Sequence, residues 1–191
     1  MQPLGGVRAW FTRTPEQEAA LAEWDTAFAE YYAARAERMR GTAYLLCADW
    51  ARAEDLVQSA FTKLYIAWPR VERREALDGY VRRIIVRGYL DQRRRGWWRR
   101  EQSAAEVPEH PIAVINPEDR LVIFQALERL PSRQRAVIVL RYWSDLSIEE
   151  TAETLRCAPG TVKSQAARGL QTLRDLLPGF VPVYSTPEEK Q

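Results

Sequence analysis

Cysteine and histidine are nearly absent from this 191-residue chain, which has only Cys47 and Cys157, far apart and in no CxxC pair, and one proline-flanked histidine, His110. So few donors assemble no metal site by spacing, and the thiols read as buried and free in a reducing compartment. Long apolar stretches are missing too. No run reaches the ~18 residues of a membrane span, and Met1–Arg13 lacks the apolar core of a signal peptide. No membrane insertion is expected, and the expected compartment is the cytoplasm. Neither a strand-like alternation, nor an internal repeat, nor a phosphate-cradling glycine loop is visible. Carboxylates such as Glu149 and Glu150 are accounted for by helix capping. The chain therefore reads as a non-enzyme, with no catalytic residue, cofactor or metal.

What the chain has instead is arginine. The formal net charge is only +2, yet the positive charge is almost all arginine and crowds into Arg70–Arg100. There Arg70, Arg73, Arg74, Arg82, Arg83, Arg87, Arg93, Arg94, Arg95, Arg99 and Arg100 face few acids. Counterion release depends on the local patch and not on the net charge, so this excess points to a polyanion.

The apolar residues recur at three and four almost without break from Trp24 to Arg95. Met1–Glu23 reads as an extension, helix-prone over Glu16–Glu23. The spacing then predicts a helix over Trp24–Cys47, with Trp24, Phe28, Tyr31, Tyr32, Arg35, Met39, Ala43 and Leu46 inward. A second, over Trp50–Trp68, has Asp49 as its cap and Pro69 as its stop, with Ala53, Val57, Ala60, Phe61, Leu64 and Trp68 inward. A third spans Ala76–Arg95, with Leu77, Tyr80, Val81, Ile84, Ile85 and Gly88 inward. Gly88 costs about 1 kcal/mol against alanine there, and either admits a close neighbour or is merely tolerated. Arg83, Arg87, Asp91 and Arg94 project together, at spacings that let Asp91 hold its neighbouring guanidinium groups.

Periodicity fails over Glu101–Asn116, which contains Pro108, His110 and Pro111, and this is the expected domain boundary. Asn116 can cap a helix that opens Pro117-Glu118-Asp119 and ends near Leu130. Pro131 starts another through Trp143, and Pro178, Pro182 and Pro187 mark a tail at 178–191. The expected fold is all-α: two small helical domains, 24–100 and 117–177, joined by a flexible linker at 101–116.

The most specific stretch is Leu146–Leu177. Ser147-Ile148-Glu149-Glu150 offers a capping box, Pro159 suits a first helical position, and a tight break lies between the two helices. That is the pattern of a helix-turn-helix. In its second helix Val162, Ala166, Gly169, Leu170, Leu173 and Leu177 face inward, while Thr161, Ser164, Gln165 and Arg168 fall at i, i+3, i+4 and i+7 on the other side, beside Lys163. Small hydrogen-bonding groups and cations near a helix start suit base edges and phosphates in a DNA major groove.

With both halves in view the chain resembles the extracytoplasmic-function sigma factors, the small promoter-specificity subunits of bacterial RNA polymerase. Three groups of residues carry the likeness: Ala53-Glu54-Asp55-Leu56-Val57-Gln58-Ser59-Ala60-Phe61; Tyr80-Val81-Arg82-Arg83-Ile84 with Asp91-Gln92-Arg93-Arg94; and Leu130-Pro131-Ser132-Arg133-Gln134-Arg135 with Gly160-Thr161-Val162-Lys163-Ser164. The stretch Trp97-Trp98-Arg99-Arg100-Glu101 resembles an actinobacterial branch of the family.

The resemblance implies that Asp55, Gln58, Phe61, Thr62 and Tyr65 belong to the helix that docks on the clamp coiled coil of the polymerase's largest subunit. Of these, Phe61 lies in the apolar stripe itself, where core packing competes with partner contact. It further implies that 24–100 melts the promoter and reads its minus-ten element as a single strand, with Arg70, Arg73, Arg74, Arg83, Arg87, Asp91 and Arg94 at that strand. The loop Pro69–Glu75 would pocket a flipped base, and Trp68 either anchors that loop or stacks on DNA. Thr161, Lys163, Ser164, Gln165 and Arg168 would grip the minus-thirty-five duplex, next to the flap of the second-largest subunit. The linker would thread towards the polymerase cleft, and an anti-sigma factor can sequester such subunits. Arg87 stands where relatives usually have asparagine and Gln165 where they often have arginine, so a relative's promoter sequence cannot be borrowed. The rival reading is a free-standing helix-turn-helix regulator that binds duplex DNA as a dimer. It leaves the polar face Asp55–Tyr65 unexplained.

Overall fold

The computed structural model describes residues 14–71, 74–94 and 117–177, with the side chains of residues 17, 20, 94 and 117–121 left aside. Among the described residues there are seven α-helices: α1 (Pro15–Cys47), α2 (Trp50–Ala67), α3 (Leu77–Arg94), α4 (Pro117–Arg129), α5 (Ser132–Ile138), α6 (Ile148–Leu155) and α7 (Pro159–Leu176). The first helix begins well before Trp24, so Pro15–Glu23 of the expected extension is continuous with it. The expected linker and tail, and the cap at Asn116, lie outside the described residues.

α1, α2 and α3 pack on one another around Met39, Leu46, Val57, Leu64, Val81 and Ile85, all essentially inaccessible. Asp49 caps α2 by accepting from the Arg52 amide at 3.1 Å. Pro69 then turns the chain through a 3₁₀ segment, Trp68–Arg70. The position left open at Gly88 is a close approach: a Cβ there would stand 2.6 Å from Cδ2 of Leu56. α3 buries Leu77, Val81 and Ile85 as expected, but over a wider arc than the expected stripe and without Tyr80. Tyr80, expected inward, is 40% exposed, whereas Arg82, counted in the arginine excess of this stretch, is buried, as are Val81, Val86 and Tyr89. The reason is that α3 packs against α1 and α2 and also against α5 and α6, which demands a wider apolar arc than one stripe. The Arg82 stem fills part of that arc.

α5 continues through a π-helical turn, Val139–Trp143, closed by the Ser144 amide on the Val139 carbonyl at 3.0 Å. The two halves touch directly. Trp143 lies over Gly41 of α1, where a Cβ would meet its ring at 3.2 Å, and Tyr44 meets Phe124 edge-on at 4.9 Å. Arg135 is wholly enclosed at this seam. Its Nε donates to the Leu127 carbonyl at 2.6 Å and its Nη1 to the Leu46 carbonyl at 2.8 Å, while Nη2 is buried with no hydrogen-bond partner. Burial pushes the Arg135 pKa down, with nearby Arg93 adding to that, yet a guanidinium keeps its charge at any ordinary pH.

Candidate nucleic-acid and partner interfaces

The helix-turn-helix is fixed by its caps. Ser147 accepts from the Glu150 amide at 3.1 Å, and the Glu150 carboxylate accepts from the Ser147 amide at 2.7 Å, closing the expected capping box. Those bonds from Ser147 hold the Glu150 carboxyl below the usual carboxylate range. α6 ends on Arg156 in the left-handed region (φ 51°, ψ 57°), and Pro159 opens α7 at a position where no amide hydrogen is needed. Val137, Ala152 and Val162 form a small core that sets the angle between the helices. α7 turns Val162, Gly169 and Leu177 fully inward, with Ala166, Leu170 and Leu173 half-buried. On its other side Lys163, Ser164 and Arg168 are exposed, and Thr161 and Gln165 are half-buried. These five residues lie together along the start of one helix, as their spacing predicts.

On α3, Arg83 pairs with Glu153 of α6, which is 70% exposed. Arg87 is half-buried a turn further on, and its pKa is lowered first by burial and then by the neighbouring Arg156 and Arg83 guanidinium groups. Arg83, Arg87 and Arg156 thus form one cationic patch that lacks a matching number of acids, the electrostatic condition for holding phosphate. Asp91 is exposed on the same helix. Arg70 and Arg74 are exposed at the turn before α3, and Arg74 sits 5.8 Å over the ring of Trp68. Trp68 itself is 5% exposed, packed edge-on by Phe28 at 5.2 Å. It anchors the turn and presents no stacking face. Arg73 and the side chain of Arg94 lie outside the described residues.

On α2, Asp55, Gln58, Thr62 and Tyr65 share an exposed face. Phe61 does not join it: the ring is in the core, 4.7 Å from Tyr32 and 6.2 Å from Tyr31, so the packing alternative holds for this residue. Tyr65 is held from α1, its hydroxyl donating to Asp25 at 2.9 Å and its ring lying against Trp24 and Phe28. Ile66, 71% exposed, is the most exposed large apolar side chain among the described residues and was not singled out from the sequence. Its signal was legible, since Thr62 and Ile66 are four apart on the polar face of α2.

Cys47 is buried, its thiol pushed up to about 12 by that burial, and Cys157 is half-buried; both are free. No cluster of metal-ligating side chains occurs among the described residues, and no helix there is long and apolar enough to cross a membrane.

Comparison with known proteins bears on both modules. The family model for Sigma-70 region 2 matches residues 31–99, and that for Sigma-70, region 4 matches residues 120–173. The chain is 35% identical to the RNA polymerase sigma-E factor of Streptomyces coelicolor over 156 residues, which cover 78% of this chain and 85% of that relative. It is also 35% identical to the ECF RNA polymerase sigma factor SigE of Mycolicibacterium smegmatis over 184 residues, 92% of this chain and 68% of the relative. Among solved structures it is similar to the sigma factor RpoE from Bartonella quintana in a co-crystal with the anti-sigma factor NepR, at 25% identity and a TM-score of 0.59, covering 85% of this chain and 97% of that one. The same TM-score, at 19% identity, relates its fold to CnrH in complex with the cytosolic domain of CnrY, over 80% and 88% of the two chains.

Proposed function

The chain belongs to the extracytoplasmic-function sigma factors, which direct promoter recognition by RNA polymerase, and from that membership we propose which of its surfaces do the work. The α2 face of Asp55, Gln58, Thr62, Tyr65 and Ile66 docks on the polymerase core, at the clamp coiled coil of the largest subunit. A rim of hydrogen-bonding groups around one exposed apolar side chain is the anatomy of such a contact. Arg70, Arg74, Arg83 and Arg87, with Arg73 and Arg94 from the sequence and Asp91 holding its neighbours, line the minus-ten single strand. Thr161, Lys163, Ser164, Gln165 and Arg168 read the minus-thirty-five duplex, next to the flap of the second-largest subunit. RNA synthesis stays with the polymerase, and the protein itself is a non-enzymatic, cytoplasmic subunit open to sequestration by an anti-sigma factor.

The observation that carries the reading is the start of α7: Lys163, Ser164 and Arg168 exposed beside half-buried Thr161 and Gln165 on a helix-turn-helix with a capping box, in the same chain as an arginine patch on α3 that Arg156 joins. Two weak grips on one tether reinforce each other through effective concentration. In the described arrangement Glu153 of the helix-turn-helix pairs with Arg83 of the arginine patch, so DNA at that patch competes with Glu153 for Arg83.

The decisive experiment adds the purified protein to core polymerase, transcribes genomic fragments and maps the start sites. Discrete new starts sharing two spaced elements are expected, and their absence refutes the reading. Changing Asp55 and Gln58 together to alanine abolishes co-purification with core while leaving helix content intact; undiminished co-purification removes that face from the interface.

A further inference from the structure

The minus-ten assignment rests on the turn between α2 and α3, and both described ends of that turn are held by one side chain of α1. Tyr31 lies with its ring 5.7 Å from that of Trp68, the last residue before Pro69. Its hydroxyl donates to Oδ1 of Asp78, in the first turn of α3, at 2.9 Å. Arg35, one helical turn along α1, reaches the same carboxylate at 3.2 Å. Phe28, one turn back, also packs on Trp68, edge-on at 5.2 Å. Burial, then the bond and charge of Asp78, push the Tyr31 phenol up from its ordinary value, so it remains an intact donor at any working pH. Of the residues making these contacts, only Phe28 lies before the span matched by the region 2 family model, which begins at Tyr31.

We propose that Tyr31 is a positioning residue for promoter melting: it ties Trp68 to Asp78, and so holds Arg70 and Arg74 where an unpaired strand passes. The inference rests on the reading of that turn as a DNA contact. Its physical basis is preorganisation. A group that must meet a strand as it unpairs acts only if it is already held in place, and a rigid helix holds a turn better than the turn holds itself. Packing alone would need only the ring of Tyr31. The hydroxyl bond to Asp78 is what lets the same side chain join the far end, where Arg35 reinforces it.

The test is Tyr31→Phe in the full chain, which keeps the ring and removes only that bond, with Arg35→Gln as a second, exposed variant acting on the same carboxylate. Two quantities are read. One is the rate of tryptic cleavage after Arg70 and Arg74, identified by mass spectrometry. The other is the affinity of the reconstituted holoenzyme for a fork-junction template, duplex at minus thirty-five and single-stranded across minus ten. Tyr31→Phe is expected to speed both cleavages and to weaken template binding about tenfold, the loss typical of one hydrogen bond to a charged group, with core binding unchanged. Arg35→Gln gives a smaller change in the same direction. Faster cleavage with unchanged template affinity overturns the assignment of the turn to DNA. Unchanged cleavage, whatever the affinity, overturns the positioning role of Tyr31.

Discussion

The pairing of Arg83 with Glu153 gives a direct handle on the balance between the joined and parted halves. The two side chains are 34% and 70% exposed, so the pair contributes only about 0.2–1 kcal/mol. Glu153→Lys removes that attraction and sets a new cation against Arg83, Arg87 and Arg156, which already crowd one another. Together the two effects shift the balance by about 1–2 kcal/mol, a factor of roughly 5–30 in the ratio of joined to parted molecules. Small-angle scattering of the free chain at low salt should report a larger radius of gyration for Glu153→Lys than for wild type, with Glu153→Gln between them. Screening extends over ~8 Å at 0.15 M salt and ~3 Å at 1 M, so the three proteins should converge at high salt. The swap Arg83→Glu with Glu153→Lys restores the attraction and should restore compaction. Identical scattering from all three proteins at low salt would show that the seam is held by Trp143, Phe124 and Arg135 alone.

Three further expectations follow from single groups. Arg168→Ala should weaken binding to a minus-thirty-five duplex by about 1–3 kcal/mol if the side chain reads a base, or lower the salt slope by about one if it holds phosphate; an unaltered titration on both counts removes it from the site. Ser147→Ala should cost the C-terminal module about 0.5–2 kcal/mol in chemical denaturation. Because the Glu150 pKa is depressed in the folded state, the capping contribution is complete above the ordinary glutamate range and fades as pH falls through the depressed value; a cost for Ser147→Ala that is independent of pH down to the acid transition contradicts the box. A thiol reagent at pH 8 should label Cys157 in the native protein and reach Cys47 only on unfolding, since burial keeps the Cys47 thiol protonated there; rapid uptake of two equivalents refutes its enclosure.

Much of this architecture was written in local chemistry. Asp49, and Ser147 with Glu150, act through bonds to residues within a turn of themselves, and Pro159 through its own fixed backbone angle, so their spacing alone placed three helix starts. On α7 the inward side was legible from its spacing, and of the opposite row Lys163, Ser164 and Arg168 are exposed while Thr161 and Gln165 are half-buried. On α3 Leu77, Val81 and Ile85 were legible, but a helix packed on two bodies no longer shows all of its burial as one stripe, and so Arg82, Val86 and Tyr89 are buried outside that stripe while Tyr80 is exposed. Partnerships across the fold leave no periodic trace. Tyr65 finds Asp25 forty positions away, and Tyr31 finds Asp78 at a separation of 47. The length of α1 was hidden for a related reason: Trp24 begins the aromatic pattern, while Pro15–Glu23 continues the helix with few large apolar groups to announce it.

Arg135 gives the joint between the halves its character. An apolar plug of the same volume would weld two helical bodies into one, whereas a desolvated cation with carbonyl oxygens for neighbours and one idle nitrogen sits uneasily wherever water is excluded. Prising the halves apart returns that guanidinium to solvent and recovers much of its hydration, which offsets part of what is lost when Trp143 and Phe124 leave their seats. The joint is thereby held less firmly than an apolar seam of the same size would be.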